Sequence, residues 1–98
     1  MKTIGIKEQT GTFAENKDIA KQLRLDEIIP ILDQKESIIL DFSGIEATTQ
    51  SFIHALISDL FRKFGVKFLE KVQFKGCNDS VKGIIEIVVD YMQEGLAE

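Results

Sequence analysis

Polar side chains that could bind or carry an anion follow a short apolar run near the middle of the chain. A strand is predicted over residues 37–42, and Asp41 stands at its polar end. A helix-like apolar segment follows and carries His54, the only histidine. Hydroxyl, amide and glycine residues lie between the strand and the helix or at the helix start, namely Ser43, Gly44, Thr48, Thr49, Gln50 and Ser51. A helix N-terminus has unpaired N–H groups and a positive dipole, so this junction favours an anion or a phosphorylated hydroxyl.

Each of these side chains also has a structural interpretation. Asp41 could bind a cation or support a phosphoryl group, but an aspartate before a turn more often accepts hydrogen bonds from that turn. One of the hydroxyls is expected to cap the helix, and Ser51 is the first choice, with Thr49 next. The functional interpretation of the hydroxyls is that one is phosphorylated or contacts a partner.

The sequence predicts no enzymatic activity. A catalytic His54 would need a nucleophile and an orienting partner within hydrogen-bonding reach. Ser51, Ser58 and Cys77 are available, but no nucleophile-elbow or Cys–His signature surrounds them. One histidine and one cysteine far apart in the sequence form no recognisable metal site, and the glycines match neither a P-loop nor a dinucleotide motif. We therefore expect no metal and no cofactor.

The composition is ordinary for a soluble globular protein. The 98 residues allow a single core, so one domain is predicted over 1–98. The net charge of −4 and the pI of about 5.0 disfavour nucleic acid and anionic lipid as partners. The chain has one cysteine, no signal-like N-terminus and no apolar segment near the ~18 residues that a membrane helix needs. These features predict a cytoplasmic protein that does not contact a membrane.

Three strands are predicted from alternating or continuous apolar residues, over 2–8, over 37–42 and over 71–75. The second should be central, because three consecutive large aliphatic residues suggest burial on both faces. Strands that alternate with helices predict an α/β fold, in which helices pack on a small mixed sheet. The core is expected to contain Ile38, Leu40, Phe42, Leu56, Leu60 and Phe74.

Four helices are predicted from apolar residues at helical spacing and from their capping residues. They are expected after Asn16, over 27–32, over 51–64 and after one of Asn78, Asp79 or Ser80. Asp26 should cap the second helix, following a break or kink at 24–26, and Gly65 should end the third. Residues 84–89 are rich in β-branched side chains, so a strand is an alternative there.

The strand-to-helix junction resembles a known family. Residues 38–45 read IILDFSGI and residues 49–52 read TQSF. This is similar to the STAS-like bacterial domains of unknown function of the DUF4325 type, whose pattern is an LDFSG strand end followed by an SF helix start. Residues 13–20, followed by Leu23 and Arg24, look like the first helix of that family. The resemblance extends over nearly the whole chain and implies a STAS-like fold.

The wider STAS class includes the anti-sigma factor antagonists, to which this chain is distantly similar. In those proteins a serine in an Asp-Ser-Ser-Gly motif at the same junction is phosphorylated by a partner kinase that is also the anti-sigma factor. A gapless comparison places Thr49 at the motif aspartate, Gln50 at the phosphorylated serine, Ser51 at the second serine and Phe52 at the glycine. The resemblance therefore implies the fold and the junction. A hydroxyl is missing at the phosphorylated position, and Ser51 or Thr49 is the alternative acceptor.

The leading functional hypothesis is a non-enzymatic protein-interaction or signalling module. It would present residues 43–58 to a regulatory protein, for which a histidine-kinase-like ATPase is the candidate that the resemblance implies. A small-ligand or phosphate sensor that uses the helix N-terminus is the main alternative. A small enzyme that uses His54 is a third and less favoured hypothesis.

Overall fold

The computed structural model describes residues 2–96. Its strands are β1 (Lys2–Gly5), β2 (Phe13–Ala14), β3 (Ile38–Asp41), β4 (Ala47–Thr48) and β5 (Val72–Lys75). Its α-helices are α1 (Lys7–Thr10), α2 (Lys17–Leu23), α3 (Ile29–Asp33), α4 (Gln50–Phe64) and α5 (Asp79–Leu96). A π-helical turn (Arg24–Ile28) joins α2 to α3, and a 3₁₀ segment (Val66–Glu70) precedes β5.

The main sheet is parallel and contains three strands in the order β1-β3-β5, while β2 pairs with β4 in a second parallel sheet. The predicted α/β class and the central position of β3 are confirmed. The sheet was expected to be mixed, but every strand pairing within residues 2–96 is parallel. Helical segments lie between successive strands of the main sheet, and such crossovers return the chain in the original strand direction.

The first strand is shorter than its sequence pattern suggests. It ends at Gly5, and Ile6 already has helical dihedral angles, with φ −71° and ψ −38°. Ile6 is nevertheless buried, and its N–H donates to the carbonyl of Asp41 at 2.9 Å. Ile4 and Ile6, whose alternation predicted a strand over 2–8, are both buried, but Ile6 lies beyond the strand end, where α1 begins.

The helices cover only one face of the main sheet. The row Ile4–Leu40–Phe74 points toward the core, whereas the neighbouring row Thr3–Ile39–Gln73 lies on the other face. The connections from β1 to β3 and from β3 to β5 both step in the same direction across the sheet. If both are right-handed, as parallel crossovers usually are, their helices lie on the same side of the sheet. Burial of the central strand on both faces was therefore a wrong expectation, and Ile39 is only half-buried.

The core lies between the sheet and helices α2–α5. Five of the six residues predicted for it are fully buried, and these are Ile38, Leu40, Phe42, Leu56 and Leu60. Phe74 is the exception, because it lies on the edge strand β5 and is only half-buried. Its ring contacts that of Phe42, with 6.4 Å between the ring centroids.

Residues 17–33 form one continuous helical segment and not two helices separated by a break. Asn16 caps its start as predicted, because its side-chain Oδ1 accepts hydrogen bonds from the N–H groups of Asp18 and Ile19. Pro30 has no N–H to donate to the residue four positions earlier. The helix widens directly before it, where the N–H of Ile29 donates to the carbonyl of Arg24, five residues back. Asp26 therefore lies inside the helix and caps nothing.

The last helix is confirmed, and the strand alternative for residues 84–89 is wrong. Asn78 caps α5, because its Oδ1 accepts a hydrogen bond from the N–H of Val81 at 2.8 Å. The β-branched residues of α5 supply its apolar side, and Val81, Ile85 and Val88 are buried. Helical periodicity over 18 residues outweighs the local β-propensity of this segment.

Candidate functional site

The turn after β3 is held by Asp41, the first of the predicted site residues. Its Oδ1 accepts a hydrogen bond from the N–H of Ser43 at 2.9 Å. Hydrogen bonds from the Ser43 hydroxyl and then from the Ser43 amide lower the pKa of Asp41, and Lys75 contributes in the same direction. Gly44 follows with a φ of 82°, which favours glycine in this turn. Asp41 thus acts as the predicted turn acceptor.

Thr48 belongs to the framework and not to an exposed site. Its side chain is buried, and its Oγ1 donates to the carbonyl of Ala14 at 2.7 Å. The same carbonyl accepts the N–H of Thr49 at 3.2 Å, so β2 holds the end of the junction by two hydrogen bonds. Thr48 was one of the hydroxyls considered for a cap or a partner contact, and its hydroxyl instead donates to the carbonyl of Ala14 on β2.

Thr49, the second choice in the sequence, caps helix α4. It has extended dihedral angles, with φ −107° and ψ 158°, and its Oγ1 accepts a hydrogen bond from the N–H of Phe52 at 3.1 Å. The helix consequently starts at Gln50, and Ser51 lies inside its first turn. The prediction that Ser51 is the cap is wrong, but its hydroxyl is exposed beside Gln50 and His54.

A cleft of about 510 Å³ opens beside this first turn. We call it the junction cleft, and its lining residues are Lys17, Gln50, Ser51, His54, Ala55, Ile87, Val88 and Tyr91. One wall comes from α4 and is mostly polar, and the opposite wall comes from α5 and is mostly apolar. Ile87 is 51% exposed and Tyr91 67%, and the two lie together on the same wall of the cleft. The cleft therefore combines polar groups with accessible apolar surface.

The structure brings together three of the predicted site residues and separates the others. Gln50, Ser51 and His54 line the junction cleft, whereas Asp41, Ser43 and Gly44 form the turn after β3. Sequence reasoning missed the other wall of the cleft. Lys17 entered the sequence analysis only within the predicted first helix, and Tyr91 was not among the candidate site residues. Nothing in the local pattern indicated that these two segments meet beside α4.

Two side chains hold the elements around the cleft in place. Asn78 donates from Nδ2 to the carbonyls of Ile45 and Glu46, at 3.2 and 3.0 Å, while its Oδ1 caps α5. Arg24 donates from Nη1 to the carbonyl of Ala55 at 2.6 Å, and its Nη2 lies 3.2 Å from Asp59 Oδ2. The first side chain ties the loop after β3 to α5, and the second ties the π-helical turn to α4.

Of the nucleophiles considered with His54, only Ser51 lines the junction cleft with it. Ser58 is buried, with only 3% of its surface exposed. Burial raises the pKa of the Cys77 thiol, and the nearby Asp41 carboxylate adds to this effect while Lys82 opposes it. A raised pKa reduces the thiolate fraction at neutral pH. Within residues 2–96, His, Cys, Asp and Glu side chains are nowhere grouped in threes as metal ligands.

Comparison with known proteins identifies one family. Residues 20–82 match the STAS-like domain of unknown function (DUF4325). This range includes the strand-to-helix junction and the α4 wall of the cleft, whereas Lys17 and the α5 wall lie outside it. No curated protein and no solved structure is significantly similar to the chain. In the part of the chain that the structure describes, no helix has both the length and the apolar character needed to span a membrane.

Proposed function

The chain belongs to this family of STAS-like domains, and we propose that it is a non-enzymatic interaction module that binds a regulatory protein through the junction cleft. The contact would include the exposed part of residues 43–58 and the facing wall of α5. A histidine-kinase-like ATPase is the proposed class of partner, by analogy with the wider STAS class, and the encounter would take place in the cytoplasm. The proposal therefore uses the same strand-to-helix junction as a binding surface and does not require that any residue on it be phosphorylated.

The accessible apolar surface of the cleft is the observation that carries this proposal. Ile87 and Tyr91 are large, exposed and one helical turn apart on α5. Tyrosine is enriched among the residues that dominate binding energy, because it buries a large ring and keeps a polar group. The polar groups of Gln50, Ser51 and His54 stand beside them. An apolar centre with a polar rim is the usual composition of a protein–protein interface.

The proposal can be tested by capturing the partner from the native cells with a tagged chain. Ser51→Asp adds a charge to the cleft without removing the Thr49 cap, and Tyr91→Ala removes an exposed ring. Both variants should fold normally and lose the partner. Ser80→Asp is the matched control, because it also adds a charge to an exposed serine in the first turn of a helix, outside the cleft. A partner that binds both cleft variants as well as the wild type would contradict the proposal.

A small anionic ligand is the second candidate function, and the size of the cleft favours it. A volume of about 510 Å³ lies within the range of small-molecule sites. The Lys17 side chain and the first turn of α4 would both attract an anion. Inorganic phosphate should then shift the amide NMR signals of residues 50–53, and Lys17→Gln should reduce these shifts. Absence of saturable shifts with phosphate would count against this candidate.

A small enzyme that uses His54 ranks third. The burial of Ser58 removes one of its possible nucleophiles. The raised pKa of Cys77 makes the thiolate a minor species at neutral pH. Turnover of any substrate that disappears in His54→Ala, with the fold intact, would replace the interaction proposal with this one.

A further inference from the structure

A second cleft lies at the end of the molecule where β3 and β5 begin. Its volume is about 420 Å³. The apolar part consists of Leu32, Phe64 and Phe68, and three lysines line it as well, namely Lys35, Lys67 and Lys71. Glu70 is the one acidic residue in the lining. We call this site the lysine cleft. It is locally basic on a chain whose net charge is −4.

Helix α5 carries a surface of the opposite charge. Ile87, Asp90, Tyr91 and Glu94 follow the i, i+3, i+4, i+7 spacing that places side chains on one stripe of a helix. All four are exposed. We call them the acidic stripe, because two carboxylates flank two accessible apolar side chains. The stripe is the kind of surface that an apolar cleft with a basic rim fits.

These two surfaces lie on different sides of the fold. The lysine cleft is built where α4 ends and β5 begins, whereas α5 starts beyond the other end of β5 and packs against β4 and α4. In a two-fold dimer the same patch of both copies meets at the interface. A dimer through the lysine cleft would therefore place lysines against lysines, and one through the acidic stripe would place carboxylates against carboxylates. A head-to-tail contact places carboxylates against lysines and apolar side chains against the apolar part of the cleft.

We propose that the protein associates with itself head to tail, with the acidic stripe of one copy seated in the lysine cleft of the next. Such a heterologous contact forms a ring if the rotation closes and a linear chain if it does not. One helix face against one cleft is a small interface, so the association is weak and depends on concentration. Its charges lie near solvent, so salt weakens it. This proposal does not depend on the proposed function.

Self-association would compete with partner binding, because Ile87 and Tyr91 belong both to the acidic stripe and to the junction cleft. The two contacts are nevertheless distinguishable. Lys67 and Lys71 line only the lysine cleft, so changing them should abolish self-association and leave partner capture intact. Ser51 lines only the junction cleft, so Ser51→Asp should abolish capture and leave self-association intact.

Sedimentation velocity over a range of protein concentrations tests the proposal on the native chain. The sedimentation coefficient should rise with concentration at about 0.05 M salt, and the rise should disappear at about 0.5 M, where the Debye length is only a few ångströms. The cleft variant Lys67→Glu/Lys71→Glu and the stripe variant Asp90→Lys/Glu94→Lys should each remain monomeric. An equimolar mixture of the two should associate, because opposite charges face each other again at every contact.

A matched control separates this contact from the effect of net charge. Lys21→Glu/Lys75→Glu changes the net charge by the same amount as the cleft variant, at two exposed lysines outside both surfaces. It should self-associate like the wild type. A wild-type chain that stays monomeric at low salt overturns the proposal. So does association that persists in both charge-reversed variants, or a mixture that fails to associate when each variant is folded.

Discussion

The start of helix α4 gives the sharpest test of the structural argument. Thr49 supplies the cap, whereas Ser51 lies in the first turn with its hydroxyl exposed. Removing a threonine cap costs about 1 kcal/mol. For 98 residues, an unfolding entropy of about 2.1 cal/mol/K per residue amounts to about 0.2 kcal/mol/K in total. Thr49→Ala should therefore lower the melting temperature by about 5 °C.

The matched substitution Ser51→Ala should change stability by less than about 0.5 kcal/mol, because alanine is the better helix former and no cap is lost. Thr49→Ser keeps the hydroxyl and should retain most of the stability, and Thr49→Asp should retain it through both capping and the dipole. Thermal and urea unfolding followed by far-UV circular dichroism would measure all four variants. If Ser51→Ala destabilises the protein as much as Thr49→Ala does, the helix start is assigned wrongly.

Three further predictions concern the elements that support the junction. Leu40→Ala should cost about 2–5 kcal/mol by leaving a cavity, and Ile39→Ala should cost clearly less, because Ile39 lies on the uncovered face of the sheet; equal losses in urea unfolding would contradict the one-sided sheet. Gly76→Ala should lower the unfolding free energy of the protein by about 1–3 kcal/mol, because Gly76 has positive φ and an added Cβ would lie 2.2 Å from Ser43 Oγ. The control is Gly83→Ala in helix α5, where nothing lies within 4 Å of an added Cβ, and this change should stabilise the protein instead. The pKa of Asp41 is lowered in the folded state, so its charged carboxylate stabilises the fold at pH values above the unfolded pKa, and this contribution is lost as the pH falls through the folded pKa. The difference in unfolding free energy between wild type and Asp41→Asn, measured above and below that pH window, should therefore shrink in acid. A difference that grows in acid would refute the assignment.

The elements that sequence reasoning predicted well are long and periodic. Helices α4 and α5 have 15 and 18 residues, so their apolar positions repeat over several turns. The buried strand β3 is marked by its aliphatic run. Burial of Leu40 and Leu56 follows directly from these patterns. Local sequence is sufficient to predict these elements, because the apolar positions of each one already mark the face that it buries.

The errors occurred where distant residues determine the local structure. The carbonyl of Ala14 accepts the N–H of Thr49 and the hydroxyl of Thr48. This contact, across a pair of two-residue strands, holds Thr49 in an extended conformation and makes it the last residue before the helix. Strands of two residues have no alternation to detect. Ser51 was therefore a reasonable local choice that a non-local hydrogen bond overrides.

The continuous helix around residue 24 has a similar explanation. A separate helix was predicted over 27–32, with Asp26 as its cap. A π-helical turn instead absorbs the missing N–H of the proline and keeps the chain helical. Arg24, in that turn, reaches the carbonyl of Ala55 and the carboxylate of Asp59 on α4. The widened turn thus positions a buried arginine against the helix that carries the site, which no local sequence pattern could indicate.

The hydrogen bonds around the junction bear on how it would act. The loop between β3 and α4 is held from one side by Ala14, through Thr48 and Thr49, and from the other by Asn78, through the carbonyls of Ile45 and Glu46. A loop fixed at both ends loses little conformational entropy when a partner binds, so more of the contact energy remains as affinity. Gln50, which the gapless comparison places opposite the phosphorylated serine of the anti-sigma factor antagonists, is an exposed amide at the first position of a capped helix. If the junction binds a partner as proposed, its fixed backbone and the amide of Gln50 would favour a constant docking surface, and control of binding would then come from the partner or from competition for α5.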